Sequence, residues 1–221
     1  MDARKLDSQE GCRTVLKKRK LRMKTHPMTA MRGPIDVHVH LSGNGKGGMD
    51  CWHRRRWIMR PFLRAGARDI GLECGFAELR FDELYFNKLL QWVSQSTLEA
   101  AVLLACDWVR DDQGTARKDL SDLFVSNDEV FAAVKRSPKL LAGISIHPAR
   151  PDALEELERS AAAGAVLLKL LPCVQNVDLR AIRNPLEKKI ELTRALGFPE
   201  RVFTDLWNLI PAGCRPLHAG L

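Results

Sequence analysis

Residues 34–41, PIDVHVHL, alternate apolar and polar positions with a period of two, which is the pattern of a strand. Strict alternation places Asp36, His38 and His40 on one face and Ile35, Val37, Val39 and Leu41 on the other. Three later runs are nearly continuous in apolar residues: AAVLLAC at 100–106, LLAGISI at 140–146 and AVLLKLL at 165–171. Between the runs the apolar spacing changes to three and four, predicting helices over 53–68, 82–98, 127–136, 153–163 and 186–196. Asp152 stands as the N-cap of the fourth helix, and Gly164 and Gly197 close the last two. Continuous apolar strands separated by helices imply a parallel sheet covered on both faces. The repeat fits an open doubly wound sheet or part of a (β/α)8 barrel. Full barrels typically need about 250 residues, so the chain predicts a partial barrel of about four βα units.

Residues 42–52, SGNGKGGMDCW, place four glycines within six positions after the first strand. The loop lacks the spacing of a phosphate-binding P-loop. It reads equally as a mobile lid over a site or as a simple connector.

Composition is that of a globular protein, with 45% hydrophobic and 28% charged residues. No apolar run is long enough to span a membrane. The six cysteines form no C-x-x-C pair and read as free thiols of a cytoplasmic protein. The net charge of +8 is unevenly placed: residues 1–33 carry ten Lys/Arg against three Asp/Glu, and the rest is nearly neutral. That segment reads as a disordered basic arm, with an over-extended start before Met28 or Met31 as an alternative. Its cluster at 17–24 offers nuclear import or polyanion binding as a further reading. With the excess confined to the arm, nucleic acid is not the expected partner of residues 34–198.

The candidate chemistry sits at strand ends. His38 and His40 point the same way and suit a shared divalent metal. Asp36, on the same face, is a candidate to orient one of them. Asp107 follows the second strand as a site or loop-capping residue, and His147 follows the third. Lys169 lies at the polar end of the fourth.

H-x-H at the end of a first strand, the glycine loop with Cys51-Trp52, CDWVRDDQG, GISIHP and GAVLLKLLPCVQNVD together resemble the amidohydrolase superfamily of metal-dependent hydrolases. The likeness covers residues 34–198 and leans towards the amidohydrolase-related branch that includes decarboxylases and lactone hydrolases. It implies a (β/α)8 barrel with a metal at the C-terminal mouth, held by His38 and His40. It also implies that Lys169 is a carboxylated metal ligand, and it draws His147 towards a small-molecule substrate. The implied cofactor is a divalent metal, zinc first, with manganese or iron as alternatives. The catalytic acid or base is not assigned.

The chain departs from that pattern after Pro199, where ERVFTDLWNLIPAGCRPLHAGL replaces the expected later strands and their histidines. Residues 199–221 read as an irregular tail, and the abrupt change as a frameshift or premature stop. Half a barrel is expected to expose its inner layer and two strand edges, and so to invite homo-oligomers. A metal-dependent hydrolase, or an inactive fragment of one, is therefore the first functional expectation. A non-catalytic oligomerising or regulatory half-barrel, and polyanion binding through the arm, are the alternatives.

Overall fold

A computed structural model describes residues 28, 31–54, 60–72 and 74–177. The predicted arm, the helix at 186–196 and the tail at 199–221 lie essentially or wholly outside the described residues. The described elements are β1 (Ile35–His40), β2 (Cys51–His53), α1 (Arg60–Asp69), α2 (Phe81–Gln95), β3 (Ala100–Leu104), β4 (Leu123–Val125), α3 (Asn127–Val134), β5 (Leu140–Ser145), α4 (Ala153–Ala162), β6 (Leu167–Lys169) and α5 (Pro172–Gln175).

The fold is mixed α/β, and its main sheet is a curled, parallel half-barrel of four strands in the order β1-β3-β5-β6. β3, β5 and β6 lie in the three continuous apolar runs, and β1 is the alternating stretch. The central strand β3, AAVLL, is buried along its whole length, as continuous apolar character requires of a strand covered on both sides. On one face Ala101, Leu103, Leu140 and Ala142 pack against Phe86, Leu89 and Val93 of α2 and Val130 and Ala133 of α3. Further along, Ile144, Ile146 and Leu168 pack against Ala153 and Leu157 of α4. Each large apolar side chain fully buried there contributes roughly 1.5–3 kcal/mol.

The opposite face carries Val102, Leu104, Val166 and Leu167, packed with Met28, Ile35 and Leu141. This is the inner layer that half a barrel is expected to expose, and the expectation is overturned. The four residues are at most 4% exposed. Met28 and Ile35 supply part of the cover, which the strand count alone does not reveal. Gly143 allows the close fit, because a Cβ there would lie 2.6 Å from Leu104 Cδ2 and 3.1 Å from the Leu103 carbonyl oxygen.

Local signals behave unevenly at helix ends. Ser126 caps α3 by accepting the Glu129 backbone N–H at 3.1 Å. The Glu129 carboxylate turns instead to the Asp50 N–H, tying the helix to the loop before β2. Gly164, at φ +95°, ends α4 as anticipated. Asp152 occupies the N-cap position but makes no capping bond; its carboxylate is taken by Arg150 at 2.7 Å.

One feature has no counterpart in the sequence pattern. β2 and β4 form a separate two-stranded antiparallel sheet in which Trp52 faces Phe124 in register. A bridge from Val125 to Cys106 joins it to the end of β3. Residues 53–54, expected to begin a helix, thus include the end of β2; α1 starts at Arg60.

Candidate metal centre

The site is built from the end of β1. Between Asp36 and Val39 the strand spends one more residue than β3 does over Ala101 to Leu103, so its register slips. The bulge breaks the simple alternation. Asp36 is aligned with Ala101, on the helix-facing side, whereas His40 is aligned with Leu104, on the inner side. Asp36 therefore does not orient an imidazole. Its carboxylate accepts the backbone N–H of His38 at 2.9 Å and pins the bulge.

His38 and His40 do converge. Their Nε2 atoms are 2.9 Å apart and their ring centroids 4.8 Å apart. One imidazole donates and the other accepts across this contact, so the pair shares one proton position. A metal bound at the usual 2.0–2.1 Å by both nitrogens would want them about 3.3 Å apart in tetrahedral geometry, a shift of a few tenths of an ångström. Burial holds the His40 pKa down to about 4, helped by electrostatic interaction with Lys169, His38 and His53. Its ring is therefore neutral near pH 7 and has a lone pair to offer.

Lys169, at the end of β6, is 1% exposed, and its Nζ has no hydrogen-bond partner among the described residues. Burial lowers its pKa, and the Cys106 thiol opposes the shift. Cys106 is itself buried, which raises its pKa, with Lys169 opposing. An orphaned amine in an apolar setting is costly, roughly 1–3 kcal/mol, so it marks a position where another group is wanted. The structure thus brings His38, His40 and Lys169 to one end of the sheet.

His147 is placed differently. It is 3% exposed, its Nδ1 accepts the Ala149 N–H at 3.1 Å, and its Nε2 donates to the Gln175 carbonyl at 3.0 Å. Both ring nitrogens are thereby engaged inside the fold. Asp107 is the clamp beneath it. One carboxylate oxygen takes the His147 N–H at 2.8 Å, the other the Trp108 N–H at 2.8 Å, and Arg110 and Arg150 each approach at 3.4 Å. Gln175 completes the bracket through the Asp107 carbonyl and Ser145 Oγ. These bonds tie together the segments that follow β3, β5 and β6.

The glycine loop is anchored to Asp82 and to the carbonyls of Phe76 and Glu78. Its backbone N–H groups at Asn44 and Gly47 donate to the fully buried carboxylate of Asp82, at 2.6 and 3.2 Å. Asn44 Nδ2 donates to the carbonyls of Phe76 and Glu78. Neither Asn44 nor Asp82 stood out in the sequence, since a loop asparagine and a first-turn aspartate are commonplace.

His53 was missed as well. It ends β2, lies edge-on to Phe76 with centroids 6.1 Å apart, and acts electrostatically on His40. A three-residue strand is too short to show a period, so nothing in the pattern turned this histidine towards the site. Among the described residues, no three His, Cys, Asp or Glu side chains gather closely enough to hold a metal.

No family model, curated protein or solved structure matches this chain. The functional reading rests on the site's own chemistry.

Proposed function

We propose that the chain is a metal-dependent hydrolase of the amidohydrolase type, and that its half-barrel is the first part of a (β/α)8 architecture. The observation that carries this reading is the unpartnered, buried Lys169 amine at the same end of the sheet as the converged imidazoles of His38 and His40. The residues suit a divalent metal, zinc first: two imidazole nitrogens and a lysine that can become an anionic oxygen donor. When bound, the metal supplies Lewis-acid polarisation of a C–N or C–O bond and lowers the pKa of water. His38 and His40 present Nε2 lone pairs. The Lys169 amine adds to carbon dioxide, forming an N–C bond and releasing one proton, and the resulting carbamate supplies oxygens where the structure has only an orphaned donor. Burial shields the carbamate from water. Cys106 beside Lys169 stays a neutral thiol, because burial raises its pKa.

The test is to load the purified chain with zinc in ¹³C-bicarbonate. Expected are metal retained through gel filtration, a carbamate carbon resonance lost in Lys169→Met, and metal lost in His38→Ala. A wild-type chain that retains no metal and shows no carbamate signal sinks the reading.

A non-catalytic half-barrel is the second reading, favoured by the absence of a third His, Cys, Asp or Glu ligand among the described residues. Three buried cysteines, Cys51, Cys74 and Cys106, are free thiols, which suits the reducing cytoplasm we propose as its location. Among the described residues no helix is long and apolar enough to cross a membrane.

A further inference from the structure

We propose that Asn44 is a self-modification site: its side-chain amide is lost to attack by the Gly45 backbone nitrogen, at a rate gated by Asp82, and the carboxylate left behind releases the glycine loop after β1. The proposal goes beyond the metal reading and does not depend on it.

Asn44-Gly45 is the single Asn–Gly pair in the chain. Glycine has no Cβ to shield its nitrogen or to restrict the backbone around it. Gly45 is exposed, sits at φ +72°, and its N–H donates to no group among the described residues. The nucleophile is therefore free. The electrophile is already polarised, because Asn44 Oδ1 accepts the Lys46 N–H at 2.8 Å. That donor stands where negative charge develops when the carbonyl is attacked. Ring closure joins Gly45 N to Asn44 Cγ, and the side-chain nitrogen leaves as ammonia, taking the Gly45 proton. One water then opens the succinimide. Breaking the ring at Cγ gives aspartate, and breaking it at the main-chain carbonyl gives isoaspartate. No other reactant is needed.

The fold sets the timing. Asn44 is 3% exposed, and its Nδ2 donates to the Phe76 carbonyl at 2.7 Å and the Glu78 carbonyl at 2.6 Å. Swinging Cγ towards Gly45 N breaks both bonds, so the reaction waits for a local opening of the loop. Asp82, which holds the Asn44 and Gly47 N–H groups, controls that opening. Once formed, the product does not latch again. A carboxylate has only acceptors to present to the two carbonyls. Its charge also falls beside the fully buried carboxylate of Asp82, where little water screens the repulsion. Isoaspartate further adds a carbon to the main chain and shifts every later bond of the loop. The segment released joins β1, with His38 and His40, to β2, with His53.

The experiment incubates the folded full chain at mildly alkaline pH and follows every asparagine by peptide mass mapping, with limited proteolysis in parallel. Expected are conversion at Asn44 ahead of the other asparagines and at least tenfold faster conversion in Asp82→Ala. The converted wild type, separated by ion exchange through its added negative charge, should be cut within residues 42–50 where the unconverted fraction resists. Asn44→Asp, made directly, should be cut at the same place, with circular dichroism showing that the sheet is retained. Asn44 left intact while other asparagines convert overturns the proposal. A loop that resists protease equally in the converted chain and in folded Asn44→Asp overturns it as well. So does an unchanged rate in folded Asp82→Ala, since the anchor then has no hold on the reaction.

Discussion

The buried carboxylate of Asp82 in α2 receives the backbone N–H of Asn44 at 2.6 Å, thirty-eight residues earlier in the chain. With Gly47 N–H on its second oxygen, this one side chain fixes the loop that follows the site strand β1. Replacing Asp82 with Ala removes a charged acceptor and strands two N–H groups. Hydrogen bonds to charged groups are worth roughly 1.5–3 kcal/mol each. We therefore expect Asp82→Ala to lose about 3 kcal/mol in urea unfolding, with new protease cleavage within residues 42–50. Unchanged stability with an intact loop would show that the anchor is idle.

Gly143 offers a test of the inner layer. A methyl group there meets Leu104 Cδ2, which can move, and the Leu103 carbonyl oxygen, which cannot. Overpacking of this kind typically costs about 1–3 kcal/mol. Gly143→Ala should lower the urea midpoint at constant slope; a neutral result means the sheet has more room than its packing implies.

Lys169→Met separates function from stability. The substitution keeps an unbranched chain of similar length and removes a buried amine with no partner among the described residues. Stability should rise by about 1–2 kcal/mol, while carbamate formation disappears. If thermal unfolding instead moves downwards, the amine has a partner and the carbamate reading loses its motive.

His40 sets a pH dependence in the metal-free chain. Its folded pKa is depressed, to about 4, against an unfolded value of 6.5. Above pH 6.5 the ring is neutral in both states and its burial goes unopposed. As pH falls from 6.5 towards 4 the unfolded chain takes up a proton that the folded chain refuses, so stability declines across that window and levels off below it. The ring is partly solvated, so the effect is small. Histidine NMR should show the His40 imidazole still neutral at pH 5.5, and His40→Gln should flatten the corresponding stretch of the stability–pH curve.

What the sequence determined by itself was the order of the four parallel strands and the helices that follow them, and the ends of those strands. Continuous apolar runs can persist only where both faces of a strand are covered, so the three runs declared three of the parallel strands within two or three residues, and the alternating stretch at 34–41 declared the fourth. They also placed His38, His40 and Lys169 at strand ends, where a site can form. Tertiary structure decided the rest. The bulge that moves Asp36 away from the histidines exists only relative to β3, since register is a property of two strands. The burial of the inner layer, the engagement of both His147 nitrogens by the Ala149 and Gln175 backbone, and the anchoring of the glycine loop by Asp82 depend on groups brought together from distant parts of the chain. Periodicity is local and reports which face a residue occupies; it carries no information about which polar partner will meet that face. The orphaned amine of Lys169 shows this most directly, because only the fold reveals that its neighbours leave it without a partner among the described residues.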